Sequence, residues 1–402
     1  MLRYIFLYTV LLFSVTSKAQ TVITVTSTGT NSTIDSAINY TTAIWEQYLV
    51  SDVPIKINII NTDMGTTGTL GFILSNMRKD FTGAPVADTW YVTSLANSIS
   101  GTELNAGEFD MDIYMNSIAN YYYGIDGNPG VNEYDFVTIL FHEICHGLGV
   151  VSLAKTDSVN GSFGEIIADD FLPLAPSFPF PDLLGKPAIW NRFLENGSGD
   201  LLTDSIAFPN NSVLLKNELE SDDVFFNGSA ATSANSTSLP KIYAPSSFIF
   251  GASISHFDPS AFPPSGENSL MTPSLAPQYV EHAPGIVLLG ALQDIGWTVN
   301  STVSVTENQD ELHNIMVYPN PFNSQTTVNF SLGSKQDVVI EVYNLLGEKV
   351  ITLLDQKLPS GVHNVSWNGT GKMQDHCPAG TYLYKLSTNR NIFVGKFQYM
   401  GR

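Results

Sequence analysis

The residues best placed to do chemistry are two histidines and a glutamate within five consecutive positions. His142, Glu143 and His146 lie in the run FHEICHGLG. Residues four apart share one face of a helix, so both imidazoles can bind one metal ion while the carboxylate lies beside it. A zinc ion lowers the pKa of a water to about 7, and the glutamate takes its proton as the water attacks a peptide carbonyl. The pattern predicts a hydrolytic zinc site.

The residues around the motif predict the helix that such a site needs. Asn132 is placed as the N-cap, and Glu133 and Asp135 fall in a first turn where the helix dipole favours anions. Apolar residues continue through the motif, and glycines follow it: Phe136, Ile139, Leu140, Ile144, Gly147 and Gly149. The alternative is a buried amphipathic helix whose histidines only form hydrogen bonds in the core.

A zinc ion of this type needs a third protein ligand and leaves a fourth position open. In the compact form of the motif a third histidine would follow His146 by six residues, but that position is Ser152. The other histidines as far as residue 314 are His256, His282 and His313. A third histidine ligand must therefore come from far along the chain.

Further segments then follow in an order that resembles the leishmanolysin-type metzincins, over roughly residues 110–150 and 250–297. In that family the third histidine follows an insertion, a methionine turn comes next, and a helix ending in QD(L/I)G and an aromatic residue closes the domain. The matching segments are His142–Gly149, SHFD at 255–258, NSLMTP at 268–273 and LGALQDIGW at 289–297. The insertion of 109 residues between His146 and His256 is longer than the family pattern suggests.

The resemblance implies an α+β fold, a metzincin-like zincin domain with a twisted mixed sheet and an active-site helix. It implies that His142, His146 and His256 bind Zn²⁺, that Glu143 is the general base and that Met271 lies beneath the metal. Asp258 is the alternative third ligand, because a carboxylate also binds zinc. His282 lies outside the family order and is expected to be an exposed loop residue.

Two further expectations concern the surroundings of this site. By the same resemblance, the strand at 110–115 is the sheet edge to which an extended peptide substrate adds, although a plain sheet strand is the alternative. Cys145 is interpreted as a small buried residue of the helix, with a redox-sensitive ligand as the less favoured reading.

Composition and charge narrow the class of protein. The 402 residues include 18 Lys and Arg against 38 Asp and Glu, a net charge of -20 that excludes nucleic acid as a partner. Only 14% of the residues are charged, which suggests an exported protein. Residues 1–19 predict a secretory signal, and no transmembrane segment follows it. The two cysteines, Cys145 and Cys377, exclude a disulfide framework.

The chain divides by composition into two modules. Residues 20–300 form the predicted metallopeptidase domain, with an inserted subregion at 153–250, and 301–314 is a polar linker. Residues 315–402 carry a net charge of +3 and predict a small all-β sandwich. The predicted strands are Thr326–Phe330, Val338–Tyr343, Glu348–Leu354, His363–Trp367, Thr381–Ser387 and Ile392–Tyr399.

The second module resembles the C-terminal sorting domain of proteins exported by the type IX secretion system of Bacteroidetes. The motifs that carry the resemblance are VYPNPF at 317–322, VYNLLG at 342–347, LPSGVH at 358–363, Trp367 and PAGTY at 378–382. It implies the type IX machinery as a partner and a secreted or cell-surface location. The alternative is a generic carbohydrate- or protein-binding sandwich.

Together these patterns predict an exported zinc metalloendopeptidase that acts on protein or peptide substrates. Two other hypotheses remain: a surface binding or adhesion protein that keeps the scaffold without proteolysis, and a zinc hydrolase acting on a non-peptide bond. Glu143 argues against the first of these, since a binding protein needs no general base.

Overall fold

The computed structural model describes residues 21–66, 68–167, 170, 182–264, 266–300, 312–344, 347–372, 375–388 and 392–401. The predicted signal at 1–19 and residues 301–311 of the predicted linker lie outside these ranges. The described chain is a mixed α+β structure that ends in a β-rich domain.

The N-terminal part combines short strands with helices. Its strands are β1 (Ile23–Thr28), β2 (Leu49–Val50), β3 (Ile55–Thr62), β4 (Gly71–Ser75), β5 (Met77–Lys79), β6 (Trp90–Val92), β7 (Met111–Asn116), β8 (Tyr121–Tyr122), β9 (Tyr134–Asp135), β10 (Ala154–Thr156), β11 (Gly161–Phe163), β12 (Leu194–Asn196), β13 (Val224–Phe226), β14 (Lys241–Ile242) and β15 (Thr298–Val299). Its helices are α1 (Ser32–Tyr48), α2 (Thr93–Ser100), α3 (Phe136–Gly147), α4 (Val213–Leu219), α5 (Ser229–Ala234) and α6 (Ile286–Ile295).

The largest sheet of this part has the strand order β1-β3-β7-β4. The first three strands are parallel, and β4 runs antiparallel to β7, with Ile73 opposite Ile113. The prediction that the strand at 110–115 is the sheet edge is therefore wrong. That strand, β7, lies between β3 and β4, and the edge strand is β4.

Helix α1 packs behind helix α3, which carries His142 and His146. The N-cap of α1 is Asn31, whose Oδ1 accepts from the Thr33 and Ile34 amides at 2.9 and 3.2 Å. Trp45 stacks on Phe141 of α3 with ring centroids 4.5 Å apart. The Trp45 Nε1–H also donates to the Phe141 carbonyl at 3.3 Å. The buried face of α1 thus fixes the position of α3 against the sheet.

The subregion at 153–250 is folded in its described residues. Strands β12, β13 and β14 form a small antiparallel sheet. Helix α4 packs against β10 and β11, and helix α5 packs against α6. Trp190 is fully buried against Phe226, and its Nε1–H donates to the Ile254 carbonyl at 2.8 Å. That bond ties the subregion to the segment that leads to His256.

The C-terminal part consists of two antiparallel sheets around one apolar core. Its strands are β16 (Leu312–Tyr318), β17 (Thr326–Leu332), β18 (Gln336–Tyr343), β19 (Lys349–Leu358), β20 (Gly361–Trp367), β21 (Gly380–Thr388) and β22 (Ile392–Tyr399). The sheet orders are β16-β17-β20 and β19-β18-β21-β22. Trp367, Tyr382 and Leu386 are buried in the core between the sheets. Strand β16 begins at Leu312, inside the predicted linker.

Asp110 forms a buried polar junction at the start of β7. Its side chain accepts from the Lys56 amide at 2.8 Å and from the Asn97 side-chain amide at 3.1 Å. The residue is only 1% exposed, and burial raises the pKa of its carboxyl to about 6. The charged form is therefore less stable here than in the unfolded chain.

We expect Asp110→Asn to make the free energy of unfolding less dependent on pH between pH 5 and pH 7. The folded pKa is raised above the unfolded value of about 3.9, so this group's stabilising contribution is complete below about pH 4 and is lost as the pH rises to about 6. One pKa unit corresponds to about 1.4 kcal/mol, so between pH 5 and pH 7 the native chain should lose about 1.4 kcal/mol more than the variant. Urea unfolding at both pH values measures the difference, and equal changes in the two proteins would contradict the expectation.

Candidate metal centre

Two of the predicted ligands project from α3. The helix begins at Phe136, and its N-cap is Asp135, three residues later than the predicted cap Asn132. The Asp135 carboxylate accepts from the Thr138 amide at 2.8 Å and from the Thr138 hydroxyl at 2.7 Å. Every residue of α3 is buried, so its histidines leave water when the chain folds.

The third predicted ligand, His256, comes from a chain reversal that follows β14. The Tyr243 amide donates to the His256 carbonyl at 2.9 Å, and the Ile254 amide donates to the Tyr243 carbonyl at 2.8 Å. The next residue, Phe257, donates its amide to the Met271 carbonyl at 2.8 Å. These backbone bonds bring His256 to α3 across a sequence separation of 114 residues from His142.

The three imidazoles converge on one point. Ring centroids lie 4.9 Å apart for His142 and His146, 5.1 Å for His142 and His256, and 4.8 Å for His146 and His256. One ligand atom from each lies within 4.8 Å of the others. Within the described part of the chain, this is the one group of three or more His, Cys, Asp or Glu residues arranged to hold a metal ion.

Backbone carbonyls fix the proton on each ring. The Nδ1 atoms of His142, His146 and His256 lie 2.7, 2.6 and 2.8 Å from the carbonyl oxygens of Leu270, Val150 and Ala252, respectively. A carbonyl oxygen only accepts hydrogen bonds, so each Nδ1 carries the proton and donates it. Each Nε2 is left with an unshared pair, the form in which histidine binds a metal.

The Nε2 atoms of His142 and His256 lie 3.2 Å apart. Since neither has a proton to donate, the contact sets two electron pairs against each other. A cation held by both imidazoles would replace this repulsion with attraction. The donor set of three neutral imidazoles suits zinc, which accepts nitrogen ligands in a tetrahedral arrangement.

Burial opposes charge on all three rings. It lowers the pKa of His142 to about 3 and that of His146 to about 4, with the neighbouring His146 adding to the effect at His142. The pKa of His256 is lowered well below its usual value, again chiefly by burial. The imidazoles are therefore neutral near pH 7, and binding a metal displaces no proton from them.

Glu143 lies on the same helix and faces the edge of the sheet. It is 7% exposed, and burial raises the pKa of its carboxyl to about 8. A β-carbon added to Gly71 of β4 would lie 3.2 Å from both Cγ and Oε1 of Glu143. The start of the edge strand therefore lies so close to the carboxylate that a side chain at Gly71 would press on it. Tyr121 holds this strand in place, since its hydroxyl donates to the Leu70 carbonyl at 2.5 Å.

The structure places the other predicted residues as follows. Met271 is fully buried, directly after the Leu270 carbonyl that binds the His142 ring. Asp258 is outside the histidine cluster and accepts from the Ser260 amide at 2.8 Å. Cys145 is buried, in agreement with the packing interpretation.

The expectation of an exposed His282 is wrong. Its side chain is 13% exposed, and its Nε2 lies 2.7 Å from a carboxylate oxygen of Asp135. The sequence analysis placed Asp135 in the first turn of α3 and not at its N-cap. It therefore identified no buried carboxylate that could accept a hydrogen bond from His282.

The comparison with protein families decides the nature of the C-terminal part. Residues 316–398 match the family model described as the secretion system C-terminal sorting domain. The chain carries a type IX sorting domain. The protein is therefore exported by type IX secretion and is either secreted or held at the cell surface. This confirms the prediction of the secretion machinery as a partner. Residues 101–185 match a second model, described as SPBPB7E8-like.

No curated protein matches the chain. Among solved structures, a segment is similar to dimeric latent PorU from Porphyromonas gingivalis, with 22% identity and a TM-score of 0.20, covering 22% of this chain and 9% of that chain. A segment is also similar to PorZ, an essential surface component of the type IX secretion system of the same organism, with 16% identity and a TM-score of 0.17, covering 21% of this chain and 11% of PorZ. A third similarity is to FlgD from P. aeruginosa, with 18% identity and a TM-score of 0.16, covering 18% of this chain and 59% of that one. No described helix is long and apolar enough to cross a membrane.

Proposed function

We propose that the exported protein is a zinc metalloendopeptidase, of the metzincin type that the sequence resembles. The observation that carries the proposal is the set of three imidazoles whose Nδ1–H groups are held by carbonyls and whose Nε2 atoms converge. A purely structural cluster does not require three unshared pairs to face one another. A glutamate on the same helix, one residue after His142, adds the base that hydrolysis needs.

The chain's own residues divide the work of hydrolysis between them. His142, His146 and His256 would hold the zinc ion, which supplies Lewis acidity toward a water and toward the scissile carbonyl. Glu143 takes the proton of the attacking water at its carboxylate and delivers it to the departing amide nitrogen. Burial of this carboxylate raises its pKa, and a divalent cation held by the three histidines would lower it again and favour the ionised base.

The edge strand β4 would position the substrate. Its one partner among the described strands is β7, so the backbone groups of its other side can bind an extended peptide as an additional strand. Gly71 begins this strand, so close to Glu143 that a β-carbon added to the glycine would lie 3.2 Å from Oε1 of the glutamate. A peptide added along β4 therefore passes next to the base, which brings a scissile bond toward the metal.

The test is zinc content and cleavage of casein by the full chain, before and after treatment with a chelator. One equivalent of zinc, cleavage that the chelator abolishes, and recovery on adding zinc would support the proposal. Bound zinc without cleavage of casein or of a peptide library would replace it with the binding or adhesion protein. Hydrolysis of small esters alone would indicate a zinc hydrolase with a different substrate.

We expect Gly71→Ala to slow cleavage without loss of metal. The added β-carbon lies 3.2 Å from Glu143 and 3.3 Å from the Met115 sulfur, so the carboxylate must shift by a few tenths of an ångström. A displacement of 1 Å costs about a hundredfold, so a fall in kcat of roughly three- to tenfold is expected. Gly371→Ala is the matched control, because no atom lies closer than 3.8 Å to its added carbon. If Gly71→Ala and Gly371→Ala had equal kcat values, the expected displacement of Glu143 would be contradicted.

A further inference from the structure

Strand β16 is the first strand of the C-terminal part. The side chains on its two faces pack into two different apolar cores. Met316 and Tyr318 are 4% and 6% exposed and belong to the apolar core of the N-terminal part. Ile315 and Val317 pack against the core of the C-terminal sandwich. Side chains alternate across a strand, so this short segment joins the two cores.

Tyr318 contacts a buried aromatic group on α1. Its ring lies edge-on to Tyr40 with centroids 5.0 Å apart, and Tyr40 is in turn edge-on to His282 at 5.5 Å. The Tyr40 hydroxyl and the His282 Nδ1 lie 3.4 Å apart. Edge-to-face aromatic pairs of this kind stabilise an interface beyond the area they bury.

His282 carries the contact to the start of the metal-binding helix. Its Nε2 lies 2.7 Å from Oδ2 of Asp135, the oxygen that also accepts from the Thr138 amide and hydroxyl. The neighbouring Glu281 amide donates to the Thr138 hydroxyl at 2.9 Å. A chain of contacts thus runs from Tyr318 through Tyr40 and His282 to the N-cap of α3.

The junction is uncharged in character. None of the ion pairs among the described residues joins the N-terminal part to residues 316–398. A groove of about 390 Å³ lies beside the Tyr318 contact, and its lining, which includes Ser36, Asn39 and Thr327, has no charged side chain. An interface of this kind depends on apolar burial, so salt should not weaken it.

We propose that the α1 face around Tyr40 is a docking surface for the sorting domain, and that the docked Tyr318 stabilises the N-cap of the metal-binding helix. The sorting domain then has a second role besides export. While it is attached, it restrains the helix that carries two of the three histidines. The inference concerns packing and does not depend on the proposed hydrolysis.

Hydrogen exchange of the full-length chain tests the docking. Tyr318→Ala is expected to raise exchange of the α1 amides and of the Thr138 amide by roughly tenfold or more, because local opening no longer breaks the aromatic contacts. Tyr343→Ala is the matched control, since Tyr343 lies in the same domain and donates its hydroxyl to Glu341. Its α1 exchange should equal that of the native chain.

The amides of β18 and β21 report whether the sorting domain itself remains folded. If the β18 and β21 amides lose their protection from exchange in Tyr318→Ala, that variant is replaced by Met316→Ala, a milder change on the same face of the strand. Faster exchange in α1 with an intact sorting sheet supports the docking. Unchanged α1 exchange with an intact sorting sheet would overturn the docking proposal. It would not bear on the proposed metal site.

Discussion

Replacing Glu143 with glutamine should abolish most of the cleavage activity while leaving zinc in place. The amide has the shape of the carboxylate and fits the same space beside Gly71, but it cannot accept the proton of the attacking water. General acid and base groups contribute roughly a hundredfold to ten-thousandfold, so kcat should fall by that factor. Casein or peptide hydrolysis measures the rate, and elemental analysis measures the metal.

A matched control for this variant is Glu46→Gln. Glu46 is a partly buried glutamate of the N-terminal part, and its Oε1 accepts from the Ile23 amide at 2.7 Å, a bond that a glutamine oxygen also accepts. The control should retain full activity. If Glu143→Gln cleaves at the native rate, Glu143 is not the base and the proposed mechanism fails, whatever the metal content.

Removing His256 should weaken zinc binding strongly. Complete zinc sites with four ligands bind with about 10–16 kcal/mol, so one lost ligand costs about 3 kcal/mol, or roughly a hundredfold in affinity. Competition with a chelating dye measures the affinity of His256→Ala against the native chain. Circular dichroism confirms that the variant remains folded.

Asp258→Asn distinguishes between His256 and Asp258, the two candidates for the third zinc ligand that the sequence left open. Asp258 accepts hydrogen bonds from Ser260 and lies apart from the cluster, so this variant should keep the native zinc affinity. The reverse result, weak zinc binding in Asp258→Asn and native binding in His256→Ala, would show that the carboxylate is the ligand. The arrangement of the three rings would then need to change on metal binding.

The sequence predicted those parts of the molecule where short-range patterns determine the structure. Helix α3 and the strands of the sorting domain follow from apolar periodicity and turn residues, and their predicted positions agree with the structure to within a few residues. The cap of α3 was misplaced because Asn132 and Asp135 are both good caps. Tertiary contacts decide between them, since His282 binds Asp135.

The identity of the edge strand could not be predicted from β7 alone. Its alternating pattern is the same for an edge strand and an interior one, and what separates them is the pairing with β4. A signal was present in Gly71, because a glycine at the start of a strand often marks a close approach of another group. The group that it approaches, Glu143, is 72 positions away and becomes visible only in three dimensions.

The wide separation of the three histidines in the sequence would affect how the chain acquires the proposed zinc ion. His142 and His146 leave the ribosome long before His256, so a nascent or truncated chain that ends within the subregion at 153–250 offers two imidazoles at most. Bringing His256 into place closes a loop of more than a hundred residues, and the entropy of that closure opposes folding. A bound zinc ion would act as a crosslink across this loop and offset that cost. Metal capture would thereby mark completion of the fold.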